Sequence, residues 1–164
     1  AFYDVRAGDG VCAWVEMNFA NASWKLYAQN LAGSSLTGNA VELDRGGENY
    51  DPPLFTAYGS SVIWYKMPSS GGTKTSNDSY CYRQSPSESK PETIWKSTGR
   101  FASAPRVSDG ILTISPRVHN DEGVYYGMTA IDLTDGNNTK RAQLVLPSSV
   151  SPFAVNVIVA LCMF

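Results

Sequence analysis

Few side chains in this sequence are arranged for catalysis, and the search for them begins with His119, the only histidine. It lies in the polar stretch Arg-Val-His-Asn-Asp, and no cysteine or acidic pair stands at metal-ligand spacing from it. The sequence has no Ser-His-Asp order, no glycine-rich phosphate loop and no metal-spaced set of cysteines. Gly59-Ser-Ser-Val62 lacks the strand-to-helix setting of a nucleophile elbow. We therefore predict that the chain is not an enzyme and holds no metal or cofactor.

Three short motifs carry chemistry of another kind. Asn21-Ala-Ser23, Asn77-Asp-Ser79 and Asn137-Asn-Thr139 each match the acceptor pattern for N-linked glycans, and each lies in a polar, turn-like context. One such motif is common by chance, whereas three favour a protein of the secretory pathway. We predict glycans on Asn21, Asn77 and Asn137 and a secreted or cell-surface location.

The chain has three cysteines, Cys12, Cys81 and Cys162, so at most one bridge can form within it. Any of the three possible pairs satisfies the count, and the spacing does not choose among them. The remaining thiol is left to pair with another chain or with cysteines outside this segment.

The composition indicates a folded β protein. The 164 residues include 43% hydrophobic and 17% charged side chains, a balance that suits a domain with a buried core. Nine tyrosines, six phenylalanines and four tryptophans favour strands. The net charge of −2, without a block of like charges, argues against nucleic-acid binding.

Short runs of alternating apolar residues, separated by Gly, Pro, Asn and Ser, predict the strands. No window of a dozen residues has helical periodicity. The predicted strands are residues 11–19, 24–30, 39–45, 61–67, 78–84, 101–106, 110–116, 122–132, 139–147 and 153–164. Many short strands at this spacing are typical of an all-β sandwich.

The stretch from 99 to 127 carries the most specific pattern in the chain. Asp121-x-Gly123-x-Tyr125-x-Gly127 resembles the Asp-x-Gly-x-Tyr-x-Cys signature of variable-type domains of the immunoglobulin superfamily. In such domains the tyrosine makes a corner in which its hydroxyl bonds back to the backbone. The resemblance therefore implies structural roles for Asp121 and Tyr125.

Other segments extend the resemblance. Trp64 in Val-Ile-Trp-Tyr-Lys looks like the core tryptophan of strand C, and Arg100 looks like the arginine that opens strand D and pairs with Asp121. Residues 111–114 look like strand E and 124–131 like strand F.

The resemblance implies an immunoglobulin-like β-sandwich over residues 36–147. An extra hairpin, turning at Asn21–Ser23, would precede it in residues 1–35. Residues 148–164 would be a linker and the start of a second domain or of an anchor.

The usual inter-sheet disulfide of that family is missing, because residue 127 is glycine and the partner position near Leu43 or Arg45 has no cysteine. A bridge that closes so long a loop contributes on the order of 4 kcal/mol, so compensation is expected. A Cys12–Cys81 bridge is the simplest candidate, and it would tie the N-terminal strands to the middle of the domain.

The resemblance also implies a partner-binding surface on the front sheet. If Trp64 and Tyr125 point inward, the period of two along a strand turns their neighbours outward. The predicted outward residues are Ile63, Tyr65, Val124, Tyr126 and Met128, with Tyr80 and Tyr82 extending the stripe. Exposed aromatic and aliphatic residues in one patch are typical of an interface. The alternative is that the N-terminal hairpin covers the same residues.

The loop of residues 46–60 is long for a connection between strands B and C. Its aromatic residues are Tyr50, Phe55 and Tyr58. They form either a paratope-like binding surface or a plug for the core.

Residues 153–164 are the most apolar run, but twelve residues are too few to cross a bilayer, which takes about 20. The run is either a strand of a following domain or part of an anchor. Any membrane attachment is therefore expected only at or beyond this end of the chain.

These expectations together describe an extracellular glycoprotein module that binds a protein partner, in adhesion, receptor function or immune recognition. The alternative is a viral envelope or immune-evasion glycoprotein of the same fold that binds a host receptor or immune protein. A third hypothesis is a structural coat module joined to another subunit through the odd cysteine. A carbohydrate-binding sandwich would depend on Tyr50 beside Asp51.

Overall fold

The structure is a computed structural model that describes residues 1–69, 78–120 and 123–145. These residues form strands and turns without a helix, which confirms the prediction of an all-β protein. The strands are β1 Phe2–Ala7, β2 Val11–Asn18, β3 Ser23–Ala32, β4 Ser35–Gly46, β5 Phe55–Tyr58, β6 Ser61–Lys66, β7 Ser79–Gln84, β8 Glu92–Ser97, β9 Arg106–Ser108, β10 Ile111–Ile114, β11 Arg117–Asn120, β12 Gly123–Asp132 and β13 Thr139–Val145.

Most of the predicted strands are present, and most of the strands that the prediction missed are short. β2, β6 and β12 begin within a residue of the predicted starts. β1, β5, β8 and β11 were not predicted, and of the segment 101–106 only Arg106 belongs to a strand. Four-residue strands such as β5 and β11 contain too few residues for an alternating pattern to stand out. The predicted strand at 153–164 lies outside the described residues.

The chain divides into two compact units, residues 1–96 and 97–164. The first unit holds a first sheet, ordered β1-β2-β3-β4, and a second sheet, ordered β5-β6-β7-β8. The second unit holds a third sheet, ordered β11-β12-β10-β9, in which β13 also pairs with β12. The expected boundary between residues 35 and 36 falls inside the β3–β4 hairpin, where Ala32 pairs with Ser35.

The core of the first unit lies between its two sheets. Over residues 11–15 of β2 and 24–28 of β3 every second side chain is buried, which is the alternation expected of a sheet with one packed face. The buried residues of the first sheet are Val11, Ala13, Val15, Trp24, Leu26 and Ala28, and they pack against Phe55, Val62 and Trp64 of the second sheet. Trp64 is 1% exposed, so its predicted place in the core is confirmed.

A repeat of 50 residues underlies the three sheets. β2, β6 and β10 begin at Val11, Ser61 and Ile111, and each is the second strand of its sheet. Each pairs on one side with the short strand before it and on the other side with a following strand, β3, β7 or β12. β3 and β12 pair in turn with β4 and β13. Consecutive antiparallel sheets at a fixed interval, the first two of four strands and the third of five, resemble the repeat of β-propeller blades.

Backbone contact between corresponding turns joins the first two repeats. The amide of Gly10, in the β1–β2 turn, donates to the carbonyl of Gly59 in the β5–β6 turn at 2.8 Å. A Cβ on Gly10 would lie 3.3 Å from that carbonyl oxygen and from Ser60. Glycine therefore permits the close approach of the two turns.

These pairings differ from the immunoglobulin scheme. The segment expected as strand E, β10, pairs directly with the segment expected as strand F, β12, whereas those strands belong to opposite sheets in a variable-type domain. Trp64 lies on β6, which pairs with β5 and β7. The expected N-terminal hairpin is present as β2 and β3, where Asn18 pairs with Ser23.

The predicted Cys12–Cys81 bridge is wrong, since both residues are free thiols. Cys12 alternates with the core residues of β2 and so points away from the second sheet. Cys81 pairs with Tyr65 and points away from the first sheet. Two layers of backbone therefore separate the thiols, which no disulfide can span. Cys162 lies outside the described residues.

Candidate functional site

An ammonium group held among aromatic rings marks one end of the interface between the first two sheets. Lys66, the last residue of β6, places Nζ 4.6 Å from the ring centroid of Trp24 and 4.8 Å from that of Tyr50. The same Nζ donates to Asp44 Oδ1 at 2.6 Å and to the carbonyl of Arg45. Three sequence-distant segments thus surround one cation.

The carboxylate of Asp44 ties the first sheet to the second. Oδ1 accepts from Lys66, and Oδ2 accepts from the indole Nε1 of Trp64 at 2.9 Å. The side chains of Asp44 and Lys66 are only 18% and 17% exposed. We call Trp24, Asp44, Tyr50, Trp64 and Lys66 the Lys66 cluster. Because the charges of Asp44 and Lys66 are paired with each other, removal of either one would leave a largely buried charge without its partner.

Trp24 is positioned by a glycine on the neighbouring strand. Its indole is 1% exposed and donates through Nε1 to the carbonyl of Tyr50 at 2.9 Å. Gly46 pairs with Trp24 across the sheet, and a Cβ on Gly46 would lie 2.5 Å from two ring carbons of the indole. The ring therefore lies flat over a position that only glycine can leave open.

We expect Gly46→Ala to lower the free energy of unfolding by about 2 kcal/mol, because the added methyl must displace a rigid, buried ring. Urea unfolding followed by tryptophan fluorescence measures the loss. Gly47→Ala is the matched control, since a Cβ there meets no atom within 4 Å. Equal stability of the two variants would contradict the prediction.

A stack of aromatic rings leads from the Lys66 cluster toward solvent. Trp64 and Tyr82 have ring centroids 5.6 Å apart, and Tyr82 and Tyr80 are stacked at 5.8 Å. Lys96 lies 5.9 Å from the ring of Tyr80 and forms an ion pair of 2.7 Å with Asp78. We call Tyr80, Tyr82 and Lys96 the tyrosine surface. Tyr80 and Tyr82 are half-exposed and Lys96 is exposed.

The groove beside this surface is small and mixed in character. It has a volume of about 180 Å³ and is lined by Leu43, Asp44, Trp64, Lys66, Tyr82 and Pro91. Burial raises the pKa of the Tyr82 phenol, and the nearby Asp44 carboxylate raises it further. The phenol therefore stays protonated at neutral pH and can donate a hydrogen bond to a ligand.

A second, wider groove lies at the end of the β2–β3 hairpin. Its volume is about 880 Å³, and its walls include Phe19, Trp24, Lys25, Tyr27 and Arg45. Phe19 is 67% exposed. Lys25 pairs with Glu42 at 3.1 Å, and that bond raises the pKa of the Lys25 ammonium. Both grooves combine aromatic rings with paired charges.

The predicted outward stripe is wrong for its two residues on β6. Ile63 and Tyr65 are both fully buried, because both faces of this inner strand are covered. Alternation separates the two faces of a strand but does not tell whether either face meets water. Tyr126 and Met128 are half-exposed, and the side chain of Val124 lies outside what the structure describes.

The three aromatic residues of segment 46–60 lie in different environments. Phe55 is 3% exposed and belongs to the core, so its predicted exposure is wrong and the plug interpretation holds for it. Tyr50 packs against that core while its ring contacts Lys66. Tyr58 is half-exposed. The structure thus brings Tyr50 and Tyr82 of the predicted surface to the Lys66 cluster.

Of the predicted glycan acceptors, Asn21 and Asn137 are exposed in turns and Asn77 lies outside the described residues. The Arg100–Asp121 pair is not tested, because Asp121 also lies outside them, as does the side chain of Tyr125. In the described part of the chain no group of three His, Cys, Asp or Glu side chains is placed to hold a metal ion.

Sequence reasoning missed Trp24, Asp44 and Lys66. They are 20 and 22 residues apart, so no local motif joins them. The available signal was the 50-residue interval: Trp14 and Trp64 occupy the same place in successive repeats, and each packs against a tyrosine of the next strand. That interval would have predicted repeated sheets of similar topology.

The fold and the site define an all-β protein of repeated antiparallel sheets, with grooves that combine aromatic and charged side chains. No protein-family model matches the chain, and no curated protein sequence matches it. Among solved structures it is similar to the Pyrococcus horikoshii acylaminoacyl peptidase (orthorhombic crystal form), with a TM-score of 0.53 and 11% identity. The match covers 90% of this chain and 25% of the peptidase chain, so this chain spans about a quarter of that protein. At this identity the likeness concerns the fold alone.

No helix in residues 1–69, 78–120 and 123–145 has the length and apolar character needed to cross a membrane.

Proposed function

We propose that this chain is an extracellular binding module, built from propeller-blade-type repeats, that recognises a protein partner through the tyrosine surface. The observation that carries the proposal is the half-exposed Tyr80–Tyr82 stack beside the Lys96–Asp78 pair. Tyrosine and tryptophan dominate the energetics of protein interfaces because they bury a large area at low entropic cost.

The setting of this surface supports the proposal. Tyr82 rests on the buried ring of Trp64, so the outer rings are held in place before a partner arrives. Such preorganisation lowers the entropic cost of binding. The groove of about 180 Å³ is too small for a large ligand but admits one side chain of a partner.

The extracellular location is proposed from the glycan acceptors. Asn21 and Asn137 are both exposed, as an acceptor for the oligosaccharide must be. The proposal does not depend on the immunoglobulin resemblance, because the tyrosine surface is defined by contacts within residues 1–96.

We expect Tyr80→Ala to weaken partner binding by at least about tenfold, since a central interface tyrosine contributes roughly 1.4 kcal/mol or more. The probe is an array of purified cell-surface ectodomains, with affinities measured by surface plasmon resonance. Tyr3→Ala is the matched control, because Tyr3 is 54% exposed on β1 and lies outside the tyrosine surface. Binding that is insensitive to Tyr80→Ala, or no binding across the array, overturns the proposal.

A further inference from the structure

One face of the first sheet carries a Trp–Tyr pair beside the paired polar side chains of Lys25 and Glu42, and it stays partly open. Val5 pairs with Trp14 and Trp14 pairs with Tyr27, so the three side chains lie side by side on the face that points away from the second sheet. The rings of Trp14 and Tyr27 stack at 5.7 Å, and both are half-exposed. Val5 is 58% exposed. We call this surface the Trp14 face.

The second sheet has an equivalent Trp–Tyr face, and the first sheet covers it. Trp64 and Tyr82 are the repeat equivalents of Trp14 and Tyr27, with a ring separation of 5.6 Å. Trp64 is 1% exposed, and its indole donates to Asp44 of the first sheet. The indole of Trp14 instead reaches Glu16 on its own strand at 3.2 Å. A Trp–Tyr face of this type can therefore pack against another sheet.

The packing of the first two sheets shows which kind of surface covers a Trp–Tyr face. The face of the first sheet that packs against the second carries Ala13 and Ala28, which pair directly across β2 and β3. Small side chains at this pair leave room for the large rings opposite. In repeat proteins each unit buries one face against its neighbour in this way.

The third sheet has a surface equivalent to the Ala13–Ala28 surface of the first sheet. Thr113 and Ala130 pair across β10 and β12, at the positions that Ala13 and Ala28 hold in the first sheet. On the same face Met128 pairs with Leu144, which is 59% exposed. We call this surface the Ala130 face. The chain therefore carries two surfaces, the Trp14 face and the Ala130 face, that correspond to the two surfaces packed together between its first and second sheets.

We propose that copies of this chain associate head to tail, the Ala130 face of one copy covering the Trp14 face of the next. Such a contact is heterologous, because it joins two different surfaces rather than two copies of one. It involves neither Tyr80 nor Lys96, so it stands or falls independently of the proposed function.

Sedimentation velocity on the intact chain and two variants tests the proposal. The wild-type chain is expected to associate with rising concentration. Val5→Glu and Leu144→Glu each place a charge on one of the two faces, at side chains exposed enough to spare the fold. Each variant alone is expected to be monomeric. An equimolar mixture is expected to form a 1:1 dimer, because each variant keeps the face that the other has lost.

Leu54→Glu is the control, since Leu54 is 40% exposed in the segment before β5 and belongs to neither face. Thermal melting by circular dichroism checks that the variants fold. A wild-type chain that stays monomeric up to about 1 mM, where even weak contacts register, overturns the proposal. So does association that Val5→Glu and Leu144→Glu leave unchanged, or a mixture that remains monomeric.

Cys12 gives a second readout that needs no charge substitution. It lies half-exposed on the same side of β2 as Trp14. In a Cys162→Ser background, association is expected to slow its reaction with a thiol reagent at least about fivefold as concentration rises. Cys81 does not interfere, because it is buried and burial raises the pKa of its thiol. A rate independent of protein concentration counts against the proposal.

Discussion

Replacing Asp44 with alanine is expected to lower the free energy of unfolding of the unit formed by residues 1–96 by about 3 kcal/mol. The substitution removes the acceptor of both the Lys66 ammonium and the Trp64 indole. Lys66 is 17% exposed and would be left without its carboxylate among aromatic rings. Urea unfolding followed by fluorescence measures the loss.

A double-mutant cycle separates the ion pair from general damage. Asp44→Leu combined with Lys66→Met removes both charges together, and it is expected to recover at least half of the stability lost in either single variant. Asp4→Ala is the control, because its pair with Arg6 is largely exposed and is expected to contribute less than about 1 kcal/mol. Additive losses at Asp44 and Lys66 would show that the two side chains do not act as a pair.

Trp64→Ala is expected to lower the free energy of unfolding by about 4 kcal/mol, the range measured for a buried tryptophan that leaves a cavity. The residue is 1% exposed and contacts both the core and Tyr82. Unfolding is followed by circular dichroism, because the substitution removes a fluorophore.

The repeat supplies a matched comparison for this variant. Trp14 holds the equivalent position in the first sheet but is half-exposed, so Trp14→Ala is expected to cost at most about 2 kcal/mol at low protein concentration. Equal losses at the two positions would show that Trp64 is not the better-packed residue. At high concentration, association through the Trp14 face would narrow the difference.

The strands could be predicted from the sequence where apolar and polar residues alternate over a long run. β2 and β3 bury every second side chain over residues 11–15 and 24–28, and both strands were predicted within two residues. The pairing of the strands could not be predicted in the same way, because the Asp-x-Gly-x-Tyr pattern describes one turn and its strand but not the neighbours of that strand. β10 and β12 were therefore assigned to different sheets, although they are hydrogen-bonded partners.

The candidate site was harder to predict than the fold. Tyr50 and Tyr82 were chosen for their exposed aromatic character; Tyr50 belongs to the Lys66 cluster, and Tyr82 packs against Trp64 of that cluster. Lys66 and Asp44 looked like ordinary polar residues at strand ends, because their roles come from tertiary pairing. Ile63 and Tyr65 were misplaced since a period of two assigns them to a face without stating what covers it.

The shared core of the first two sheets also constrains how the protein is made. The first sheet is complete in sequence at Gly46, but the side chains that cover its apolar face arrive with β6, which ends at Lys66. A nascent chain at the ribosome therefore carries Trp24 and Leu26 uncovered while 20 more residues are translated. At about 5 to 20 residues per second that interval lasts about 1 to 4 s, long enough for a chaperone to engage.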